Sequence, residues 1–184
     1  MAGNTVNPRV WLLGDVYVAA VGTTGPTNTS SPLDAAFDAL GLLHEDGLTQ
    51  SRAEDSTDLY AWGGILVRTV RSKHKRSFTV TVLDDNPTVF ALVNPGSTAT
   101  DNGTTTTRTI KRPTTDPRTF VFETQDGDVT RRIHVPRAEV TAVGDATSSE
   151  ADMETRELTI TVYPDATTGV LFYEITDDAQ ALSA

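Results

Sequence analysis

The chain has 184 residues, no cysteine and a net charge of −10, a length that suits one domain able to bury a sizeable core without covalent staples. The missing cysteines exclude disulfides, thiolate metal centres and a cysteine nucleophile, and the acidic balance argues against a nucleic-acid binder working through basic charge. With 31 Thr and 18 Val against 8 Glu and 3 Lys, the composition favours strands, because β-branched side chains suit a pleated surface whereas Glu and Lys suit helices.

Residues 10–21 form the longest apolar stretch, and Asp15 interrupts it. It falls short of the roughly 20 apolar residues of a membrane span, so no membrane partner is expected. Only Arg9 precedes it closely and no cleavage region follows, which makes it a poor signal peptide. Synthesis and use in a cytoplasm are expected. Val16, Val18 and Ala20 alternate with Asp15, Tyr17 and Ala19, the period of a strand. Residues 22–31 read as a loop. Ser31, Pro32 and Asp34 then read as a helix start, with Leu33, Ala36, Phe37 and Leu40 on one face and Gly41 as the stop.

Residues 59–70 carry Tyr60, Trp62, Ile65, Leu66 and Val67, an extended segment with Gly63 and Gly64 as a bulge. Residues 77–83 alternate Phe78, Val80 and Val82 against Ser77, Thr79 and Thr81. The polar residues 71–76 between them predict a long β-hairpin with a basic tip. Asn86 and Pro87 open a second helix, striped by Val89, Leu92 and Val93, and Asn94-Pro95-Gly96 ends it. Residues 97–118 hold nine Thr, and a structureless loop of this length is usually functional or disordered. Strands at 119–124 and 129–135 flank Asp126-Gly127, a hairpin signal. Shorter strands follow at 139–143, 157–163 and 170–175, and residues 177–184 form a loose tail. Seven or eight strands and two short helices without βαβ alternation predict one mainly β domain over 1–184. Its architecture is an antiparallel β-sandwich or barrel with one or two flanking helices, preceded by an N-terminal arm over residues 1–10.

No constellation carries chemistry. His44, His74 and His134 lack metal-ligand spacing, and Glu45-Asp46 and Asp84-Asp85 are adjacent carboxylates with nothing to desolvate them. No catalytic residue, metal or cofactor is expected, and the enzyme reading has no residue to rest on. Arg68, Arg71, Lys73, Lys75 and Arg76 form either a solvated tip or a contact with an acidic partner, including another copy of the chain. The hairpin is either a central pair of the sandwich or an extension whose free edges seek a neighbour. Residues 97–118 are either a mobile tip or an arm that orders when subunits stack.

The order of elements resembles the major tail tube protein family of long, non-contractile-tailed bacteriophages. The resemblance is carried by Gly14-Asp15-Val16-Tyr17-Val18, by Leu40-Gly41-Leu42-Leu43 leading to Asp46-Gly47-Leu48, and by Ala61-Trp62-Gly63-Gly64 before Val67-Arg68. Phe78-Thr79-Val80-Thr81-Val82-Leu83 runs into the helix at 86–93, and the stretches 133–140 and 163–169 complete the pattern. The resemblance implies a tail-tube β-sandwich that assembles into hexameric rings, whose strands join in one inner barrel and whose rings stack into a hollow tube. It implies a structural virion protein with no enzymatic role, assembled in the host cytoplasm. Its partners are itself, a tape measure protein, a tail terminator and tail-tip proteins. Double-stranded DNA crosses the lumen at ejection without specific binding. The inter-subunit residues expected are Tyr60, Trp62, Gly63, Gly64, the basic run Arg68 to Arg76, Thr79 and Thr81; the inter-ring residues are Asn102, Gly103, Thr104, Thr105, Thr106 and Thr107. Six copies at −10 carry −60 per ring, a sign that lets DNA phosphates slide past. The basic run is then expected to meet carboxylates such as Asp55 or Asp58 of a neighbour. The alternatives are a tail terminator, head–tail connector or capsid decoration protein, and a carbohydrate- or peptide-binding sandwich, which predicts exposed aromatic residues.

Overall fold

The computed structural model describes residues 9–178; most of the N-terminal arm and of the C-terminal tail lies outside them. Ten strands and one helix follow in order: β1 (Leu13–Ala20), β2 (Asp38–Ala39), β3 (Leu43–Ala61), β4 (Ile65–Val82), α1 (Pro87–Val93), β5 (Thr98–Asp101), β6 (Thr106–Thr109), β7 (Arg118–Asp126), β8 (Val129–Val143), β9 (Arg156–Val162) and β10 (Tyr173–Thr176). All pairings are antiparallel. The main sheet runs β2-β1-β7-β8-β9-β4-β3, with β10 also on β8, and β5-β6 stand apart.

Strand β8 turns this sheet into a sandwich. Its first half pairs β7 and β10, and its second half pairs β9, with Ala138 opposite both Arg118 and Val162. Register shifts near Pro136 and after Val140 bend it between the two halves. Proline has no N–H to give to a ladder, so it fits at such a break, and its carbonyl accepts the Thr119 hydroxyl at 2.8 Å. The core lies between the halves. Val16, Val18, Phe120, Phe122, Ile133 and Val135 come from one side, and Phe78, Val80, Leu158 and Ile160 from the other. Phe78 stacks on Phe122 with ring centroids 4.7 Å apart. Each such buried side chain contributes about 1.5–3 kcal/mol relative to exposure.

Helix α1 seals one end with Val89, Phe90 and Leu92 buried. Asn86 is its cap: the side-chain oxygen accepts the Val89 N–H at 2.9 Å, and the side-chain amide donates to the Leu40 carbonyl at 2.8 Å. One residue therefore caps a helix and holds a second segment against it.

The helix expected over residues 31–40 does not form. Asp34 makes a local turn, its side chain accepting the Ala36 N–H at 2.9 Å, and Asp38–Ala39 pair with β1. The fully buried Leu40 donates its N–H to the Val16 carbonyl at 2.8 Å. A helix this short needs tertiary support, and an open strand edge offers the same residues a better partner. Residues 129–143 form one strand, where two were expected. The stretch 97–118, expected to lack structure, contains the β5-β6 hairpin.

The loop before residue 31 lies over the outer face of β7 and β8. Arg132, buried there, pairs with Glu123 at 2.6 Å and donates to the Asn28 and Ser31 carbonyls at 3.0 and 2.6 Å. His134 is buried beside it and stacks on Tyr173. Its ring would stand 2.2 Å from any Cβ added at Gly25, so glycine there lets the loop close over the imidazole. Burial holds the His134 pKa below its ordinary value.

Candidate assembly interface

Strands β3 and β4 have 19 and 18 residues, several times the usual strand. They pair with each other over their whole length, but β4 meets β9 only from Arg76, opposite Val162, to Val82, opposite Arg156. Every residue from 49 to 75 is exposed. The pair is thus a two-stranded ribbon that leaves the sandwich with both faces and both edges free. Eleven residues of β4, 65–75, rise about 3.3 Å each, so the ribbon projects roughly 35 Å.

The hairpin turn is not at residues 71–76, where the sequence placed it. It is at Trp62-Gly63-Gly64, with both glycines at positive φ (93° and 82°) and Gly64 N–H bonded to the Ala61 carbonyl at 3.1 Å. The two glycines read as a bulge are the turn itself, since they take the left-handed backbone that a tight connection demands. The basic residues therefore run along β4 and not around a tip. The partner strand, residues 43–61, carries no apolar alternation because no face of it is buried beyond Leu48.

Three register shifts shape the ribbon. Leu43 faces Val82 and Leu48 faces Val80, so residues 44–47 bulge from β3 at the root. Lys73 is an extra residue with φ 52°, and Val67 is extra near the tip. Such bulges bend and twist a pair, which keeps exposed edges from indiscriminate pairing.

Charge is divided between the strands. Strand β4 carries Arg68, Arg71, Lys73, Lys75 and Arg76 and no carboxylate, whereas β3 carries Glu45, Asp46, Glu54, Asp55 and Asp58 against Arg52. Over residues 49–75, five cations meet three carboxylates, a net of +2, which leaves −12 for the rest of the chain. The −10 of the whole chain thus does not describe the ribbon, whose sign is opposite. Part of this charge is matched within the chain. Lys73 pairs with Asp55 at 3.0 Å, and Asp58 accepts the Thr69 hydroxyl at 2.6 Å. Asp55 and Asp58 thus each make one contact within the chain, both at exposed positions. Bonds from His74 first, then Arg52, hold the Glu54 carboxyl below the usual carboxylate range. Arg68, Arg71 and Lys75 have no carboxylate partner among the described residues. Arg76, at the root, lies over the Phe172 ring instead.

The tip is apolar. Trp62 is 104% exposed, with Leu59, Tyr60, Ile65, Leu66 and Val67 exposed beside it. Thr79 and Thr81 sit at the root, on the face of β4 opposite Phe78, Val80 and Val82. On β9 the same face carries Glu157, Thr159 and Thr161, paired with Thr81, Thr79 and Ser77, so this side of the sheet is mostly hydroxyl, with Thr161 buried and bonded to the Thr141 hydroxyl at 2.7 Å.

The second group of expected residues lies elsewhere. Asn102 to Thr105 form the turn of β5-β6, where the Asn102 side chain accepts the N–H groups of Thr104 and Thr105 at 3.1 and 2.8 Å, and Gly103 donates to Asp101. Thr106 and Thr107 open β6. Arg108 anchors this hairpin to the body through Asp85 and the Phe90 ring. Sequence reasoning missed Glu54 and the strand around it. The signal was an acidic segment and a basic segment on either side of Gly63-Gly64. Among the described residues no group of three or more metal-ligating side chains occurs, and no helix is long and apolar enough to cross a membrane.

No curated protein shows a sequence match to this chain. Among solved structures, it is similar to a chain of the PVC sheath–tube complex of an extracellular contractile injection system in the extended state. There the TM-score is 0.50 at 9% identity over 94% of this chain and 98% of that one. A chain of the sheath/tube terminator of the same kind of system gives a TM-score of 0.50 at 10% identity, over 93% of this chain and 99% of that one. At such identities the likeness shows the fold alone. A family model described as phage tail tube protein matches residues 1–184. A mainly β antiparallel sandwich, one short helix and a family match from first residue to last agree, and the chain belongs to the phage tail tube protein family, as a structural protein of the tail tube.

Proposed function

We propose that copies of this chain close into rings, hexameric in the resemblance above, that stack into the tube of a long, non-contractile tail. The ribbons stand side by side as the inner wall. The observation that carries this is the 27-residue stretch, 49–75, exposed on both faces. An isolated two-stranded hairpin is marginal in water, and unpaired edges invite pairing with another chain. A closed barrel of ribbons answers both, because closure removes edges. The bodies take the outer radius, being thicker than the ribbons. The core side of β4 then faces the body, and the hydroxyl-rich face with Ser77, Thr79, Thr81 and Thr159 faces the passage.

Double-stranded DNA passes along this wall without a specific site. At the root, hydroxyls outnumber charges on this face, where Lys75 stands two residues before Ser77 and Glu157 lies opposite Thr81, so phosphates meet no continuous row of cations there, which favours sliding. The ring-to-ring contacts fall to the β5-β6 hairpin with Asn102 to Thr107 and to the N-terminal arm. A tape measure protein, a terminator and tail-tip proteins complete the assembly, formed in the host cytoplasm and carried in the virion. The role is structural and non-catalytic, a reading that the family match supports. Negative-stain electron microscopy of the purified chain at rising concentration tests this. Hollow tubes of stacked rings are expected. Single rings that never lengthen would support the terminator reading. Monomers at every concentration, with a tail-tip initiator present, would overturn it.

A further inference from the structure

The cations of β4 do not share one side of the ribbon. Ser51 stands opposite Ser77, Ala53 opposite Lys75 and Leu59 opposite Arg68, whereas Arg52 stands opposite Arg76 and Ser56 opposite Arg71. Strand β3 has no extra residue between Ser51 and Leu59, because the bulge in that stretch adds Lys73 to β4. Residues an even number apart on β3 therefore share a face, and so do the residues opposite them. One face carries Lys75 and Arg68 and continues into Ser77, Thr79 and Thr81. The other carries Arg71 and Arg76 and continues into Phe78, Val80 and Val82. The bonds follow the same division. Arg52 and His74 meet Glu54, and Thr69 meets Asp58, all on the Arg71 face, while Lys73 turns to Asp55 on the opposite one. Over residues 49–75 the Arg71 face balances two cations, Arg52 and Arg71, against Glu54 and Asp58. The Lys75 face sets three cations, Arg68, Lys73 and Lys75, against Asp55 alone, a net of +2. The whole surplus charge of the ribbon thus lies on its hydroxyl side.

We infer that this face holds duplex DNA by its phosphates at two belts of cations, Lys75 near the root and Arg68 near the tip. The belts lie six residues apart along β3, or about 20 Å. The inference rests on the assembly reading above, in which the hydroxyl side of β4 faces the passage, and it adds the contact by which DNA is held there. Alternate residues of every strand in a closed barrel point inward, so each copy contributes one Lys75 and one Arg68 to the wall. The −12 on the rest of the chain belongs to the bodies and the root, so the overall acidity conceals a wall of opposite sign. The partner is a duplex and not an acidic polypeptide, because a duplex carries one charge per about 1.7 Å of its axis. A belt of cations then meets phosphate at every rotation and every step, with no register to find. The contact reads no sequence. Between the belts Asp55 is matched by Lys73, and Thr57 stands opposite Val70. That neutral stretch keeps the hold weak enough for the duplex to move.

The test is cosedimentation of assembled tubes with a short fluorescent DNA duplex over rising salt. All variants are used at concentrations where microscopy shows them fully assembled. Unmodified tubes should carry the duplex down at low salt and release it as salt rises. Arg68→Gln with Lys75→Gln should lower binding about tenfold or more and flatten its salt dependence. Arg68→Gln alone should give part of that loss. Arg71→Gln removes the same charge from the other face and should leave binding unchanged. Equal losses in Arg68→Gln and Arg71→Gln would overturn the inference, as would tubes that carry no duplex at any salt, and both leave the assembly reading standing. Bound duplex that added nuclease digests as fast as free duplex lies outside the tube and overturns it too. Displacement of the duplex by polyglutamate at equal charge concentration would make the partner an acidic polypeptide and overturn the assignment to DNA. Failure of the unmodified chain to form tubes would remove both readings.

Discussion

One strand belongs to two environments. From Phe78 to Val82, β4 alternates buried and half-buried residues against the core. From Ile65 to Lys75 the same strand has every residue exposed. In the first stretch register is fixed by burial, since a one-residue slip would turn Phe78, Val80 and Val82 outward. In the second there is no burial to fix it. There, cross-strand contacts such as Lys73 with Asp55 and His74 with Glu54 set the pairing, with the Gly63-Gly64 turn. The sandwich therefore carries the chain's stability, and the ribbon waits for a partner to supply the burial it lacks.

The sharpest way to separate the two regions is excision. Replacing residues 53–75 with Asn-Gly joins Arg52 to Arg76, which already face each other. Sedimentation should show a monomer that never assembles, with a melting midpoint close to that of the intact chain. A large loss of stability would break the comparison. The reverse experiment is Phe78→Ala, which opens a cavity between the sheets and should cost about 3–5 kcal/mol by chemical denaturation. Arg132→Met should cost about 2–3 kcal/mol, because it leaves the Asn28 and Ser31 carbonyls and Glu123 without their donor. Proteolysis should then cut the loop before residue 31 first.

Charge gives a smaller effect confined to the ribbon. Arg71→Glu with Lys75→Glu should raise the concentration needed for assembly about tenfold, near 1.4 kcal/mol, and leave monomer melting unchanged. Added salt should weaken assembly of the unmodified chain in the same direction. The choice avoids Arg76, whose position over Phe172 ties it to the body. The smallest effect is a pH dependence in the sandwich. Burial holds the folded-state pKa of His134 below the ordinary imidazole value of about 6.5. The unfolded chain thus binds a proton first. Stability is full above about pH 6.5 and falls as pH drops toward the folded-state value. In His134→Gln this part of the acid slope, read by thermal melts between neutral and mildly acid pH, should vanish.

Much of the sandwich is legible in the sequence. Val16 and Val18, Phe78 to Val82, and Leu158 and Ile160 show the period of two because one face of each strand is buried. Asn86-Pro87 announces the helix, and Asp126-Gly127 the turn between β7 and β8, where Gly127 does take a positive φ. The expectations that fail lie where local and tertiary preferences compete. Residues 31–40 have a helix-like start and stripe, and the free edge of β1 recruits them as strand. Pro136 looks like a strand end, and the bend that joins the two half-sheets absorbs it.

The ribbon shows the same division more clearly. The residues themselves determine that a basic segment, an apolar aromatic segment and two glycines stand together, and that no cysteine or metal constellation competes for the chain. Composition and alternation also determine a mainly β body. Only the tertiary structure decides that Gly63-Gly64 is the turn and that the acidic segment is the partner of the basic one. Both strands are exposed, so neither carries the apolar alternation that reports burial. Their pairing is written in cross-strand contacts between residues up to 39 positions apart, as in Leu43 with Val82, which no local pattern can display.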